Sequence, residues 1–342
     1  MGGLEEGVGL WSLVQLKKLI VQNRIMMSRI RIFFIFLKFI SILKFLNRLI
    51  VLYGITEPIG FKFMKFILKA IRFFFIFSIL TALTQVGGVI YFLYVPFSLF
   101  VKSEKYSFWK SILMRSVGFS FIYVLICLLI IPPLAKKNGR VPLPFFSTKE
   151  TPVKSGSLLM SLMNRNYVKP LLQDAFFKTA KDVQKKYSSV ELIYLDANFP
   201  FFDGFPLIPH LSHDDGEKLD IAFLYKNKKT EQLYDKTFSI TGYGVCEEPR
   251  KGEKNQPKDC EKQGNWPYNF LEKITFAKVK EGMEFDEIAN RFLLQKIMEN
   301  KEVKKVFIEP HLQKRLKLGK YKKIKFHGCH AVRHDDHIHF QL

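Results

Sequence analysis

The first 209 residues of this 342-residue chain contain no histidine, and all eight imidazoles follow. Acid is also scarce at that end: residues 1–135 hold four Asp or Glu against 16 Lys or Arg, leaving 27 and 37 for the remainder. Residues 73–101 and 116–135 carry no charge at all. These absences assign the chemistry to the carboxy-terminal part and leave delivery to the rest. No zinc-finger, helix-turn-helix or RNP pattern accompanies the sequence pI of about 9.7, so no nucleic-acid partner is expected. There is no internal repeat. A cleaved signal peptide is disfavoured, because the apolar segments are too long, too many and too far from the start.

The basicity is of two kinds. In residues 1–135 a net charge of +12 is interleaved with Phe, Ile and Leu, as expected beside anionic membrane lipid; the net +10 of residues 136–342 belongs to a mixed charged surface. Within residues 1–60, Arg31, Lys38, Lys44 and Arg48 fall in an arc of about 140° on a helical wheel. That predicts an amphipathic helix lying in the membrane surface, with a strained span as the alternative. Residues 61–135 predict two transmembrane helices, Phe73–Val101 and Ser116–Ala135, the first bent by Gly87-Gly88 and Pro96. A loop carrying Lys102, Lys105, Lys110 and Arg115 joins them. With that loop in the cytoplasm, the chain beyond Ala135 lies outside it.

Residues 136–169, with Pro142, Pro144, Pro152, Gly139 and Gly156, read as a linker, and residues 170–342 as the folded domain. The domain pattern is a helix over Pro170–Tyr187, a strand over Val190–Leu195, helical spacing over Glu284–Glu299, a strand over Val303–Ile308 and a short helix entered at Pro310. The fold class expected is α+β: a small antiparallel sheet with flanking helices, preceded by the membrane region. Cys246 and Cys260 bracket a Lys/Glu/Pro/Gly-rich stretch, so outside the cytoplasm a disulfide is expected between them, with free thiols as the alternative.

His213 and Asp220 are separated by a Gly-containing turn, and Asp220 opens the apolar run Ile221–Tyr225, which reads as a strand. His337 and His339 alternate with Ile338, Phe340 and Leu342, so a strand there presents both imidazoles on one face. His213, Asp220 and His339 then make two imidazoles and one carboxylate, a set that suits tetrahedral Zn²⁺ with a fourth position left for water. Taken singly, each would be a surface or core residue; their joint pattern favours a metal. His210, Asp214 and Asp215 lie near this set but are not needed for it, nor is Cys329. His327 and His330 receive no role.

The segments Ser212-His213-Asp214-Asp215-Gly216-Glu217-Lys218-Leu219-Asp220 and His334-Asp335-Asp336-His337-Ile338-His339 carry a resemblance. His-x6-Asp followed far downstream by His-x-His resembles the zinc peptidases that group lysostaphin, D-alanyl-D-alanine peptidases and Hedgehog domains. The match is closer to the penicillin-insensitive murein endopeptidases and covers roughly the last 150 residues. Glu217 and Lys218 depart from that family's smaller or acidic residues, which bears on substrate preference more than on metal binding. The resemblance implies zinc on His213, Asp220 and His339, His337 as the catalytic base or transition-state stabiliser, and His334 as its hydrogen-bonding partner. Asp336 is a rival base, because the dipeptidase branch has a catalytic Glu at that spacing. The implied protein is a peptidoglycan endopeptidase of the D-Ala-meso-diaminopimelate type, in a bacterial inner membrane with its domain periplasmic. The alternatives are a D,D- or L,D-carboxypeptidase or dipeptidase, or a non-catalytic zinc-containing binding module.

Overall fold

The computed structural model describes residues 59–98, 100, 106–188, 190–265, 268, 275, 280 and 282–342. The amphipathic helix expected around Arg31–Arg48 lies outside the described residues. The chain divides into two units, residues 1–72 and 73–342. In the first, the described part is the start of helix α1 (Ile59–Thr84).

The second unit begins with apolar helices: the rest of α1, α2 (Gly87–Ser98), α3 (Phe108–Leu129) and α4 (Ile131–Lys137). Two stretches, Phe63–Thr84 and Phe108–Leu129, are long and apolar enough to cross a membrane; 22 residues of helix reach about 33 Å. Their boundaries differ from the charge-free runs. The run 73–101 is cut at Gln85, which has φ +65°. Thr84 Oγ1 caps the turn, donating to the Leu80 carbonyl and accepting from Gly87 N at 2.7 and 2.8 Å. The chain then folds back so closely that a Cβ on Gly88 would meet the Phe77 carbonyl at 2.6 Å. Lys110 and Arg115, expected in a loop, lie inside α3, while Lys102 and Lys105 lie outside the described residues.

Residues 136–169 are not a linker. They form β1 (Val141–Pro142), β2 (Val153–Ser155), α5 (Leu158–Leu162) and β3 (Tyr167–Val168), with β1 paired to β3 and β2 at the edge of the main sheet. Pro142 belongs to β1 itself, and Gly139, at φ +75°, turns the chain from α4 toward it. Arg140 is buried, donates to the Phe199 carbonyl and pairs with Asp203, which ties this segment to the domain.

Helix α6 (Pro170–Lys186) and strands β4 (Leu192–Tyr194) and β5 (Lys218–Ala222) follow, then β6 (Tyr225–Asn227), β7 (Leu233–Tyr234) and helix α7 (Gln256–Lys262). The chain ends with β8 (Met283–Phe285), α8 (Glu287–Glu299), β9 (Lys305–Phe307), α9 (Pro310–Arg315), β10 (Ile324–Lys325) and β11 (His337–Gln341). The main sheet has six strands in the order β10-β9-β11-β5-β4-β2. It is mixed rather than antiparallel: β10–β9 and β2–β4 are parallel, and the central strands are antiparallel. A three-stranded sheet, β7-β6-β8, stands apart.

One face of the main sheet packs on α6 and α8. In α6, Leu172, Phe176, Ala180 and Val183 recur every three or four residues and are buried, with Phe176 6.2 Å from Phe340 of β11. In α8 the helix starts at Asp286, whose side chain accepts from Ala289 N, so Glu284 and Phe285 fall in β8 and not in the helix. Asn290, fully buried, accepts from Leu224 N at 2.9 Å and donates to the Leu224 carbonyl at 2.7 Å. That bond pair satisfies the backbone where β5 ends and β6 begins, so the apolar run Ile221–Tyr225 is two strands in two sheets.

Candidate metal centre

The central pair of strands builds the centre. β5 and β11 pair with His339 opposite Asp220 and His337 opposite Ala222. Cross-strand partners point to the same face, so Asp220, His339 and His337 share one, while Ile338 and Phe340 enter the core on the other. The register is decisive, since a slip of one residue would exchange the two faces.

His213 arrives from the loop before β5. Its Nε2 lies 3.0 Å from His339 Nδ1 and 3.2 Å from Asp220 Oδ1, and His339 Nδ1 is 2.8 Å from the same oxygen. Ligand atoms about 2.0–2.1 Å from a tetrahedral zinc are about 3.3 Å apart, so this triangle is slightly compact but of the right size. His213 Nδ1 donates to the Ala197 carbonyl at 2.7 Å. With Nδ1 committed to that carbonyl, His213 aims Nε2 at a carboxylate oxygen, an arrangement that suits a cation between them. The donor set fits a divalent metal ion, and the three residues are at most 3% exposed.

His337 stands on the second side of Asp220, its Nε2 3.7 Å from Oδ2 and without a hydrogen-bond partner among the described residues. Its Nδ1 bonds Asp336 Oδ1, and Asp336 Oδ2 accepts from Gly244 N at 2.6 Å. Asp336 thus sits beside His337 with both oxygens hydrogen-bonded. Burial would lower the His337 imidazole, but Asp220 and Asp336 outweigh it and push the pKa up to about 9. For Asp220 burial would raise the pKa, yet the imidazoles of His213 and His337 hold it well below the usual carboxylate range. Burial drives His339 down to about 4, only partly opposed by Asp220. The His334 ring is buried 4.8 Å from His337 and 5.8 Å from His339, and burial holds its pKa well below the ordinary value.

A second layer of buried groups surrounds the first, and of these only His210 stood out in the sequence. Asp196 follows β4, takes a two-point bond from Arg165 at 2.8 and 2.6 Å, and receives His210 Nδ1 at 2.8 Å. His210 Nδ1 is also 3.6 Å from Asp220 Oδ2, so His210, Asp220 and His337 form a second cluster of ligating groups. Tyr243 donates to Asp220 Oδ2 at 2.8 Å. Beyond His210, which lies three residues before His213, the sequence signals for this layer were polar residues closing an apolar strand at Leu195-Asp196 and a glycine-flanked tyrosine.

Other candidates stand elsewhere. Asp214 and Asp215 pair with Lys218. Asp335 is fully buried against Arg333 at 2.9 and 2.7 Å, so it is no solvated turn residue. His327 is exposed at the rim, 5.3 Å from the His334 ring. The disulfide joins Cys260 to Cys329, not Cys246 to Cys260: the loop after β10 brings Cys329 to a Cα distance of 5.1 Å from Cys260. A cleft of about 400 Å³ lined by Cys127, Leu143, Tyr167 and Phe177 holds none of the site residues. Comparison of the chain with protein-family models and with curated proteins finds no match.

Proposed function

We propose that this chain is a membrane-anchored zinc metallopeptidase that hydrolyses the peptide cross-links of peptidoglycan. The observation that carries the reading is the convergence of His213 Nε2, Asp220 Oδ1 and His339 Nδ1 within 3.2 Å of one another, beside an oriented His337. The two sequence segments that resemble the murein endopeptidases meet from 119 and 126 residues apart, Asp220 and His339 through β-pairing and His213 through its loop, which favours a selected site over coincidence. Zinc bound there would supply Lewis acidity toward a peptide carbonyl and offset the Asp220 charge that raises His337. His337, with Nδ1 held by Asp336, has Nε2 to accept a proton from the attacking water and return it to the leaving amine. His334, uncharged beside it, keeps the pocket from adding a further positive charge. The apolar helices would hold the domain at a membrane, and the Cys260–Cys329 disulfide favours an oxidising, extracytoplasmic side.

The test is digestion of purified sacculi by the full chain in detergent, with muropeptides identified by mass. Loss of cross-linked dimers to monomers is expected; release of D-alanine alone would assign a carboxypeptidase instead. A second reading, a zinc-containing binding module, is favoured by the near-complete burial of the three candidate ligands. Binding to sacculi with no new muropeptide would establish that reading and overturn the peptidase.

A further inference from the structure

The loop between β7 and α7 carries groups that touch the centre from behind. Ser239 Oγ donates to the Tyr243 carbonyl at 2.8 Å and closes the loop on itself. Gly242 has φ +87°, and a Cβ there would fall 2.2 Å from Leu195 Cδ2, so only glycine lets the loop lie this close to the end of β4. Pressed down in this way, the loop reaches two carboxylates: Gly244 N donates to Asp336, and the Tyr243 hydroxyl bonds Asp220.

The direction of the Tyr243 bonds is forced. Asp196 N–H is a donor, so the hydroxyl oxygen accepts from it at 3.0 Å. Its own hydrogen then goes to Asp220 Oδ2 at 2.8 Å. Tyr243 is 3% exposed, so water does not compete for either bond. The consequence falls on Asp220, whose Oδ2 is taken while Oδ1 faces His213 and His339.

We propose that Tyr243 is a positioning residue that commits Asp220 to bind its metal through Oδ1 alone. The proposal rests on the metal reading above. One-oxygen binding leaves a coordination position open, whereas a carboxylate swung to grip the ion with both oxygens would fill it. His210, held by Asp196 through Nδ1, flanks the same Oδ2 and keeps it from turning.

The experiment uses the full chain in detergent, loaded with Zn²⁺ or with Co²⁺ as a spectroscopic probe. Wild type is expected to give the intense visible bands of four-coordinate Co²⁺. Tyr243→Phe, which keeps the ring and deletes the hydroxyl, should weaken zinc affinity in chelator competition by roughly 10–100-fold, the usual effect of losing a group that orients a ligand. Its Co²⁺ bands should weaken as coordination rises. Tyr194→Phe, which deletes a buried tyrosine hydroxyl bonded to Ser161 and to none of the site residues, should change neither readout. An unchanged zinc affinity and Co²⁺ spectrum in Tyr243→Phe overturns the proposal. So does a wild-type Co²⁺ spectrum of five or six ligands, a result independent of whether the variant folds. A second bound equivalent that His210→Ala removes would overturn it too, since Oδ2 would then belong to another ion. Failure of wild type to bind either metal would instead sink the metal reading itself.

Discussion

Asp220 and His339 stand opposite each other on adjacent antiparallel strands, with Asp220 Oδ1 2.8 Å from His339 Nδ1. The backbone pairing itself sets that distance, so the two groups meet without help from a flexible loop. His213, on a loop, is brought to them by the Ala197 carbonyl.

Metal content tests this arrangement directly. The purified chain should hold about one zinc equivalent on a three-ligand site. The His213→Ala, His339→Ala double variant should hold none. Stoichiometric zinc in that variant would place the metal elsewhere.

Catalysis should separate from metal binding at His337. His337→Ala is expected to keep its zinc while turnover falls roughly 10²–10⁴-fold, the usual contribution of a positioned acid–base group. If Asp336 acts by holding His337 Nδ1, Asp336→Asn should cost less, and adding it to His337→Ala should cost little more. A zinc-loaded, fully active His337→Ala protein would rule out this base.

Glu309 should make stability fall as pH rises. Burial, with the nearby Asp335 charge, lifts its carboxyl from 4.5 to about 7. A raised acid binds its proton more tightly in the folded state, so between pH 4.5 and 7 the unfolded chain deprotonates first and stability is lost. The loss should approach about 3 kcal/mol at and above neutrality. Glu309→Gln keeps an acceptor for His334 N and should flatten the thermal midpoint over that range relative to wild type. Parallel pH profiles for the two proteins would contradict the shift.

The disulfide closes a loop of 69 residues, for which chain entropy predicts about 4 kcal/mol of stabilisation. Cys260→Ser or Cys329→Ser should each lower the thermal midpoint to that of the reduced protein. Non-reducing peptide mapping should recover the Cys260–Cys329 pair. Recovery of Cys246 linked to Cys260 would show the pairing to be wrong.

The helices Phe63–Thr84 and Phe108–Leu129 should keep the chain in the membrane pellet after alkaline extraction. A reporter active only in the cytoplasm, fused after Leu342, should be silent. Strong activity from that fusion would reverse the topology and remove the cell-wall substrate with it.

Periodicity and residue type alone identified α6, β11, the apolar helices and the three candidate metal ligands, because each of those signals is local. Alternation over His337–Leu342 needs only the strand period, and His213, Asp220 and His339 were marked by residue types that concentrate where metals bind. What the tertiary structure decided is what local pattern does not encode. Segment 136–169 looked like a tether because turns and tethers share Pro and Gly, and only pairing with distant strands separates them. Proximity in sequence pointed Cys260 to Cys246, and the return of the loop after β10 brought Cys329 to it instead. The partners of Asp336, Gly244 N and His337 Nδ1, were likewise fixed by folding and not by spacing. Folding alone gathers Tyr243, His210 and Asp196 around Asp220, since a hydrogen bond to the far oxygen of a side chain depends on orientation in space, which residue spacing along the chain does not specify.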